Sequence, residues 1–145
     1  MNRLPVDALQ SALAAEHAAV WAYGLVGAFL ADPLAEQLAE TAAAHRARRD
    51  ATERMLLDAG TQPVPAEPGY LIPRPVTDAA SALRLAITVE TDAAAGWRSV
   101  IERSPAEPGL RRAALDALTG AAVQAARWRA AAHSEPLTVP FPGAP

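Results

Sequence analysis

The chain has 145 residues, 51% of them hydrophobic and 20% charged, which is the size and balance of one compact domain. Its net charge of -3 offers no basic surface to a phosphate backbone, so we do not expect nucleic acid as a partner. The sequence has no cysteine, which excludes disulfides, thiolate metal sites and cysteine nucleophiles.

Two amphipathic segments with a very short connection open the chain. We predict helix one from about Asp7, its N-cap, to about Leu30, and helix two over 33–59. Asp32 is a typical N-cap ahead of a proline at the first helical position, and Gly60 is the residue type preferred just past a helix C-terminus. Helices joined this tightly are expected to be antiparallel neighbours.

The segment 61–76 contains repeated prolines and is not expected to be helical. At ~3.3 Å per residue it spans roughly 53 Å, whereas helix two at ~1.5 Å per residue is about 40 Å long. The segment is therefore long enough to cross the whole length of a helical bundle. The alternative to such a crossing is an up-down-up-down bundle, in which this segment is only a long middle loop.

Two further helices follow this segment. Helix three is capped by Thr77 or Asp78 and runs to about Arg103, and after a turn over 104–109 helix four occupies about 108–132. We place one helical domain at 1–135 and an extended, proline-rich tail at 136–145. Charged residues interrupt every apolar stretch before ~18 residues accumulate. We therefore expect a cytoplasmic protein with no membrane partner.

Polar residues interrupt three otherwise apolar helix faces, namely Glu16, His45 and Glu90. Glu16 follows Leu9 and Leu13 at steps of four and three, so it points toward the core. All three lie near the middle of their helices and thus at a similar height. A buried charge costs several kcal/mol unless it is paired, hydrogen-bonded or metal-bound. The sequence therefore predicts one shared interior site.

The local sequences around these residues are Ala-Glu-His-Ala-Ala-Val-Trp-Ala-Tyr-Gly at 15–24, His-Arg-Ala-Arg-Arg-Asp at 45–50 and Val-Glu-Thr-Asp at 89–92. With them the chain resembles the ferritin-like superfamily, and in detail the alanine-rich, ferritin-like families of unknown function found in actinobacteria. The resemblance covers about residues 8–128. It implies an all-α, ferritin-like four-helix bundle with a long crossover between helices two and three.

The resemblance also implies a reduced metal site. In metal-binding ferritin-like proteins helices one and three each supply a lone glutamate, matched here by Glu16 and Glu90, and helices two and four each supply Glu-x-x-His. His45 matches one histidine, and the best match to the other is Gln124. Alanines stand where the glutamates of both motifs would be, at 42 and 121. Two carboxylates cannot neutralise two divalent ions, so we do not expect a di-iron centre.

Two interpretations of the site remain open. In the first, no cofactor is bound, and either a protonated His45 lies between the two carboxylates or burial keeps one glutamate neutral. The protein is then a non-redox scaffold that binds a small ligand or a protein partner. In the second, Glu16, His45 and Glu90 hold one divalent transition metal, Fe, Mn or Zn, in a metal-binding protein or weak oxidase. The first is preferred, and enzymatic activity is not expected.

Other polar residues flank this site. Tyr23, one heptad after Glu16, is a candidate donor to the cluster, although a buried tyrosine is more often only packed with its hydroxyl at a partner. His17 and Gln124 are candidate extra ligands. The arginines at 46, 48 and 49 could form a phosphate-binding patch, but Arg46 with Asp50 and Arg49 with Glu53 have the i, i+4 spacing of surface ion pairs, so a solvated face is the preferred interpretation.

We expect a homodimer. The chain has three tryptophans, an apolar stretch over 18–30 and a tail that contains Val139 and Phe141. This is more apolar surface than four alanine-rich helices need to cover themselves.

Overall fold

The computed structural model describes residues 4–104 and 106–145, which form four α-helices and no strand. The helices are α1 (Val6–Val26), α2 (Leu34–Asp58), α3 (Ala79–Glu102) and α4 (Pro108–Ala131), with one 3-10 turn (Gly27–Phe29) after α1. The all-helical prediction is confirmed. Residues 1–3 of the predicted domain and Pro105 of the predicted turn lie outside the described residues.

The connection between α1 and α2 differs from the prediction. The α-helix ends at Val26 instead of Leu30, and Leu30 itself is extended, with φ -109° and ψ 135°. Pro33 occupies the cap position, so α2 begins one residue later than predicted. A proline disfavours helical backbone in the residue before it, so a helix cannot continue through Asp32 into α2.

The other helix ends follow local chemistry. α1 begins at Val6, so Asp7 lies in its first turn instead of capping it, where a negative charge is favourable. Asp78 does cap α3, accepting a hydrogen bond from the Ser81 backbone N–H at 2.8 Å. Gly60 follows α2 with a φ of 75°, a conformation that glycine adopts without strain.

α1 lies between α2 and α3 and runs antiparallel to both. In the pairing with α3, Glu16 bonds Trp97, whereas the later Tyr23 bonds the earlier Glu90. α4 packs along α3. α2 and α4 face each other across a cleft instead of a closely packed seam.

The apolar core is divided into two large clusters. One contains Tyr23, Val26 and Trp128, and the other contains Leu13 and Leu56. The residues that carry the polar cluster lie on α1, α2 and α3 between these two apolar regions. The polar side chains are therefore closed off from water along the bundle in both directions.

The described residues include one segment, Val6–Phe29, that is long and apolar enough to cross a membrane by length and composition. In this structure α1 is packed inside the bundle, with Glu16 and His17 among its buried residues. The buried core helix of a soluble protein passes the same test, so the segment carries little weight.

α1 and α3 approach each other closely at Gly96. A Cβ placed there would lie 3.2 Å from the Ala12 Cα, which is backbone and has little freedom to move. Glycine and alanine at this crossing hold the two helices close together, and with them Glu16 and Glu90. The small residues thus position the polar cluster.

Replacing Gly96 with leucine should lower the free energy of unfolding by ~1–3 kcal/mol, because the side chain must push α1 and α3 apart. Gly24, on an exposed part of α1, has no heavy atom within 4 Å of an added Cβ and is the matched control. Gly24→Leu should be neutral or stabilising by up to ~0.8 kcal/mol. Urea denaturation measures both, and equal effects at the two positions would contradict the close crossing.

Candidate polar core site

The imidazole of His45 lies between two carboxylates. Its Nδ1–H donates to Glu16 Oε2 at 2.5 Å and its Nε2–H donates to Glu90 Oε1 at 2.7 Å. All three residues have 0% exposure. The structure therefore brings together the three residues that the sequence singled out, one from each of α1, α2 and α3.

This geometry favours a doubly protonated imidazole. An ionised carboxylate only accepts hydrogen bonds, so two carboxylates at the two ring nitrogens require an N–H on each. Burial by itself lowers the pKa of His45, but the hydrogen bonds to Glu16 and Glu90 and their charges outweigh it and raise the pKa to about 9. His45 is thus an imidazolium at neutral pH.

Aromatic donors extend the cluster at both ends. Trp97 Nε1–H donates to Glu16 Oε1 at 2.8 Å. At the other end the Tyr23 hydroxyl donates to Glu90 Oε1 and accepts from Trp128 Nε1–H at 2.9 Å. Burial and then the neighbouring Glu90 carboxylate raise the pKa of Tyr23 well above its usual range, so the phenol stays protonated. One connected chain of hydrogen bonds results.

Arg48 completes the charge balance. Its Nη1 lies 4.0 Å from Glu16 Oε1, and its side chain is 22% exposed. The guanidinium extends across to α4, where a Cβ on Gly120 would lie 2.4 Å from an Arg48 terminal nitrogen. With the imidazolium and the guanidinium, two positive charges face the two carboxylates. Such compensation is what permits charges in an interior.

The three candidate residues that flank the cluster have different contacts. Tyr23 belongs to the cluster through its hydrogen bond to Glu90. His17 does not: its Nε2 lies 3.0 Å from the Val64 carbonyl oxygen of the proline-rich segment and 3.6 Å from Glu53 Oε1. Gln124 is buried, but its Nε2 has no hydrogen-bond partner, and it lines the cleft between α2 and α4.

The cluster as arranged does not fit a single metal ion held by all three residues. A histidine ligand needs one ring nitrogen free of a proton, whereas both nitrogens of His45 contact carboxylates. Those carboxylates lie at different nitrogens of the ring. Among the described residues no group of three histidine, aspartate or glutamate side chains is arranged to hold a metal.

Sequence reasoning missed the roles of Arg48, Trp97 and Trp128. Arg48 was assigned to a solvated face, yet it stands one helical turn after His45, which places it beside the site. Trp97 is seven residues after Glu90, and Trp128 is four residues after Gln124, so helical spacing was an available signal. The spacing places Trp97 on the same helix face as Glu90, but it does not show that the indole N–H donates to a carboxylate.

The fold and the site define an all-helical bundle with a buried acid–base network in place of an apolar middle layer. The chain belongs to the family described as domain of unknown function (DUF4439), whose model matches residues 8–145. It is similar to a crystal structure of a conserved hypothetical protein, rv2844, from Mycobacterium tuberculosis. The two share 39% sequence identity and a TM-score of 0.83, over 87% of this chain and 95% of that chain. The comparison with curated proteins yields no match.

The raised pKa of His45 makes stability depend on pH. Because the folded value of about 9 exceeds the ordinary 6.5, the stabilisation is fully present below pH 6.5 and is lost as the pH rises through 9. Urea denaturation between pH 6 and 10 should show a loss of roughly 3 kcal/mol.

His45→Gln removes the titrating group, so its stability should be lower by ~3–5 kcal/mol at pH 6 and should change much less over this range. His17→Gln, at a buried histidine outside the cluster, is the matched control and should keep the wild-type dependence. A wild-type profile that is flat from pH 6 to 10 would contradict a charged His45.

Proposed function

We propose that the protein is a ferritin-like bundle whose metal layer has been replaced by an internal hydrogen-bonded network. The contacts of α1 with α2 and α3 support this topology, since both run opposite to α1 and the segment between them must then return along the bundle. The pattern of long connection and paired helices is that of ferritin-like folds.

The replaced positions support the same proposal. Ala42 has 8% exposure and Ala121 has 0%, so both face the interior where the missing glutamates of a di-metal site would project. Gln124, at the position matched to the second histidine, is buried as well. The remaining Glu16, His45 and Glu90 use one another as hydrogen-bond partners.

On this basis we propose a non-redox role in binding a small ligand, in a protein that binds no transition metal. The observation that carries the proposal is that both ring nitrogens of His45 are occupied by carboxylates. The network places charged side chains between the helices, and both ring nitrogens of its histidine are bonded without a cofactor. A cytoplasmic location stays a prediction.

Elemental analysis of protein purified without a metal-affinity tag should find far less than one Fe, Mn or Zn per chain. Restoring two motif positions with Ala42→Glu and Gln124→His should raise iron binding, because it adds a carboxylate and an imidazole to the same layer. Stoichiometric metal in the parent that is lost on Glu16→Ala would favour the mononuclear metal protein instead.

The stability of the single variants separates a buried from an exposed position. Ala42→Glu without metal should lower the free energy of unfolding by ~1–3 kcal/mol or more, because it buries an unpaired acid. The neighbouring Ala43 is exposed, so Ala43→Glu is the matched control and should have little effect. Unchanged stability in both variants would contradict the proposed position of residue 42 in this layer.

We further propose a homodimer that uses α4 and the tail. Exposed apolar side chains support this surface, with Val123 at 46% exposure, Val139 at 40% and Phe141 at 74%. Light scattering at high micromolar concentration should give twice the 15.1 kDa chain mass. The double variant V123R/F141R should give the monomer mass, whereas Leu71→Arg, at a fully exposed residue of the proline-rich segment, should leave the dimer intact. A wild-type monomer would end this proposal.

A further inference from the structure

Three buried polar atoms of the described residues have no hydrogen-bond partner: Gln37 Nε2, Glu90 Oε2 and Gln124 Nε2. All three residues line one cleft of about 330 Å³ between α2 and α4. Buried polar groups in folded proteins are almost always bonded, so an isolated exception calls for a specific reason. Three exceptions on the walls of one cleft favour this cleft as a binding site.

Two of these side chains are almost fully inaccessible. Glu90 has 0% exposure and Gln124 has 8%. Their unbonded atoms have almost no exposed surface, so a ligand in the cleft contacts them only when the side chains of the cleft wall shift. Glu90 uses its other oxygen for His45 and Tyr23, so one carboxylate joins the interior network to the cleft.

The chemistry of the walls defines the complementary ligand. Glu90 Oε2 accepts a hydrogen bond and carries negative charge, so it suits an ammonium group. The unbonded glutamine atoms are amide nitrogens, which donate, and two cations on the same walls, Arg48 and Arg127, outnumber the carboxylate of Glu40, so together they suit a carboxylate. The volume is at the lower end of the range for small-molecule sites.

We propose that the α2–α4 cleft binds a small zwitterion with an ammonium and a carboxylate, the chemical class of a free amino acid. The inference rests on the proposed function, because it names the ligand class of the same metal-free bundle. The ammonium donates to Glu90 Oε2, and the carboxylate accepts from the amides of Gln37 and Gln124. Water alone in the cleft is the competing occupant, since ordered waters also satisfy buried polar groups.

The first experiment titrates the 15N-labelled full chain with glycine, β-alanine and 4-aminobutanoate, which differ in the distance between the two charged groups. The side-chain amide signals of Gln37 and Gln124 should shift saturably with at least one of the three. Acetate and methylammonium each carry only one of the two groups and should bind at least about tenfold more weakly. Equal binding of a half-probe, or no shift with any amino acid at tens of millimolar, would overturn the proposal.

The second experiment uses Gln124→Met, which replaces the unbonded amide with an apolar group of similar shape. If Gln124 serves ligand binding at the expense of stability, the substitution has two opposite effects. Binding weakens at least about tenfold, and Tm rises by ~2–4 °C. A fall in Tm with unchanged binding would show that the amide is bonded within the protein and would refute the site.

Gln10 offers the matched control for this substitution. Its amide donates to the Gln62 carbonyl oxygen and its carbonyl accepts from the Val64 N–H, both at 2.8 Å. Gln10→Met should therefore lower Tm and leave probe binding unchanged. The metal analysis is independent of these titrations: stoichiometric metal refutes the proposed function, whereas a metal-free protein that binds no amino acid refutes only the cleft proposal.

Discussion

A protonated imidazole enclosed between two carboxylates is the interaction on which the rest of this bundle depends. α2 packs mainly on α1, so the bond from His45 to Glu90 is its direct link to α3. Burying such charges costs several kcal/mol per ion before pairing, and an apolar layer often serves stability as well. The network also fixes how α2 is aligned along α1 and α3. Shifting α2 by one residue would remove His45 from between the two carboxylates and leave them unpaired in the core. We infer that the charges select one packing of the helices more than they stabilise it.

The alanine-rich composition permits this network. Because Ala12 and Gly96 let the backbones of α1 and α3 approach closely, Glu16 and Trp97 lie within hydrogen-bond distance across the helix pair. Larger apolar residues would separate these helices and lengthen the bonds. On the other side of the bundle, α2 and α4 leave a cleft between them, and most of its lining side chains are long and polar. The close approach of small residues is thus a property of the α1–α3 pair.

Much of the site was predictable because helical spacing is regular. A residue three, four or seven positions from apolar residues of one helix face shares their direction, which identified Glu16, His45 and Glu90 from the sequence alone. The orientation of the imidazole ring was not predictable, because the same helical spacing is compatible with a hydrogen-bonded cluster and with three ligands around one shared ion. The packing of His17 against the proline-rich segment was also missed, since spacing within one helix says nothing about a loop that crosses it.

Local sequence rules also failed to predict where one helix ends and what one long side chain contacts. The α1–α2 connection was predicted from cap preferences, but the α-helix ends already at Val26 and a 3-10 turn follows it. Arg48 looked like a surface residue because arginine is usually solvated, and only the tertiary structure shows its side chain extending past Glu16 toward Gly120. Local rules fix the direction in which a side chain leaves its helix. They do not fix what a long side chain reaches from there.

Glu90 is where the two parts of the molecule meet. One oxygen accepts from His45 and Tyr23, and the other has no partner in a residue that lines the cleft. A cation bound at the unbonded oxygen would add a further positive charge near the imidazolium and would lower the pKa of His45. By linkage, losing the proton from His45 would in turn strengthen the attraction of Glu90 for that cation. The network and the cleft therefore belong to one electrostatic unit, in which the state of the buried histidine and the occupancy of the cleft oppose each other through a single carboxylate.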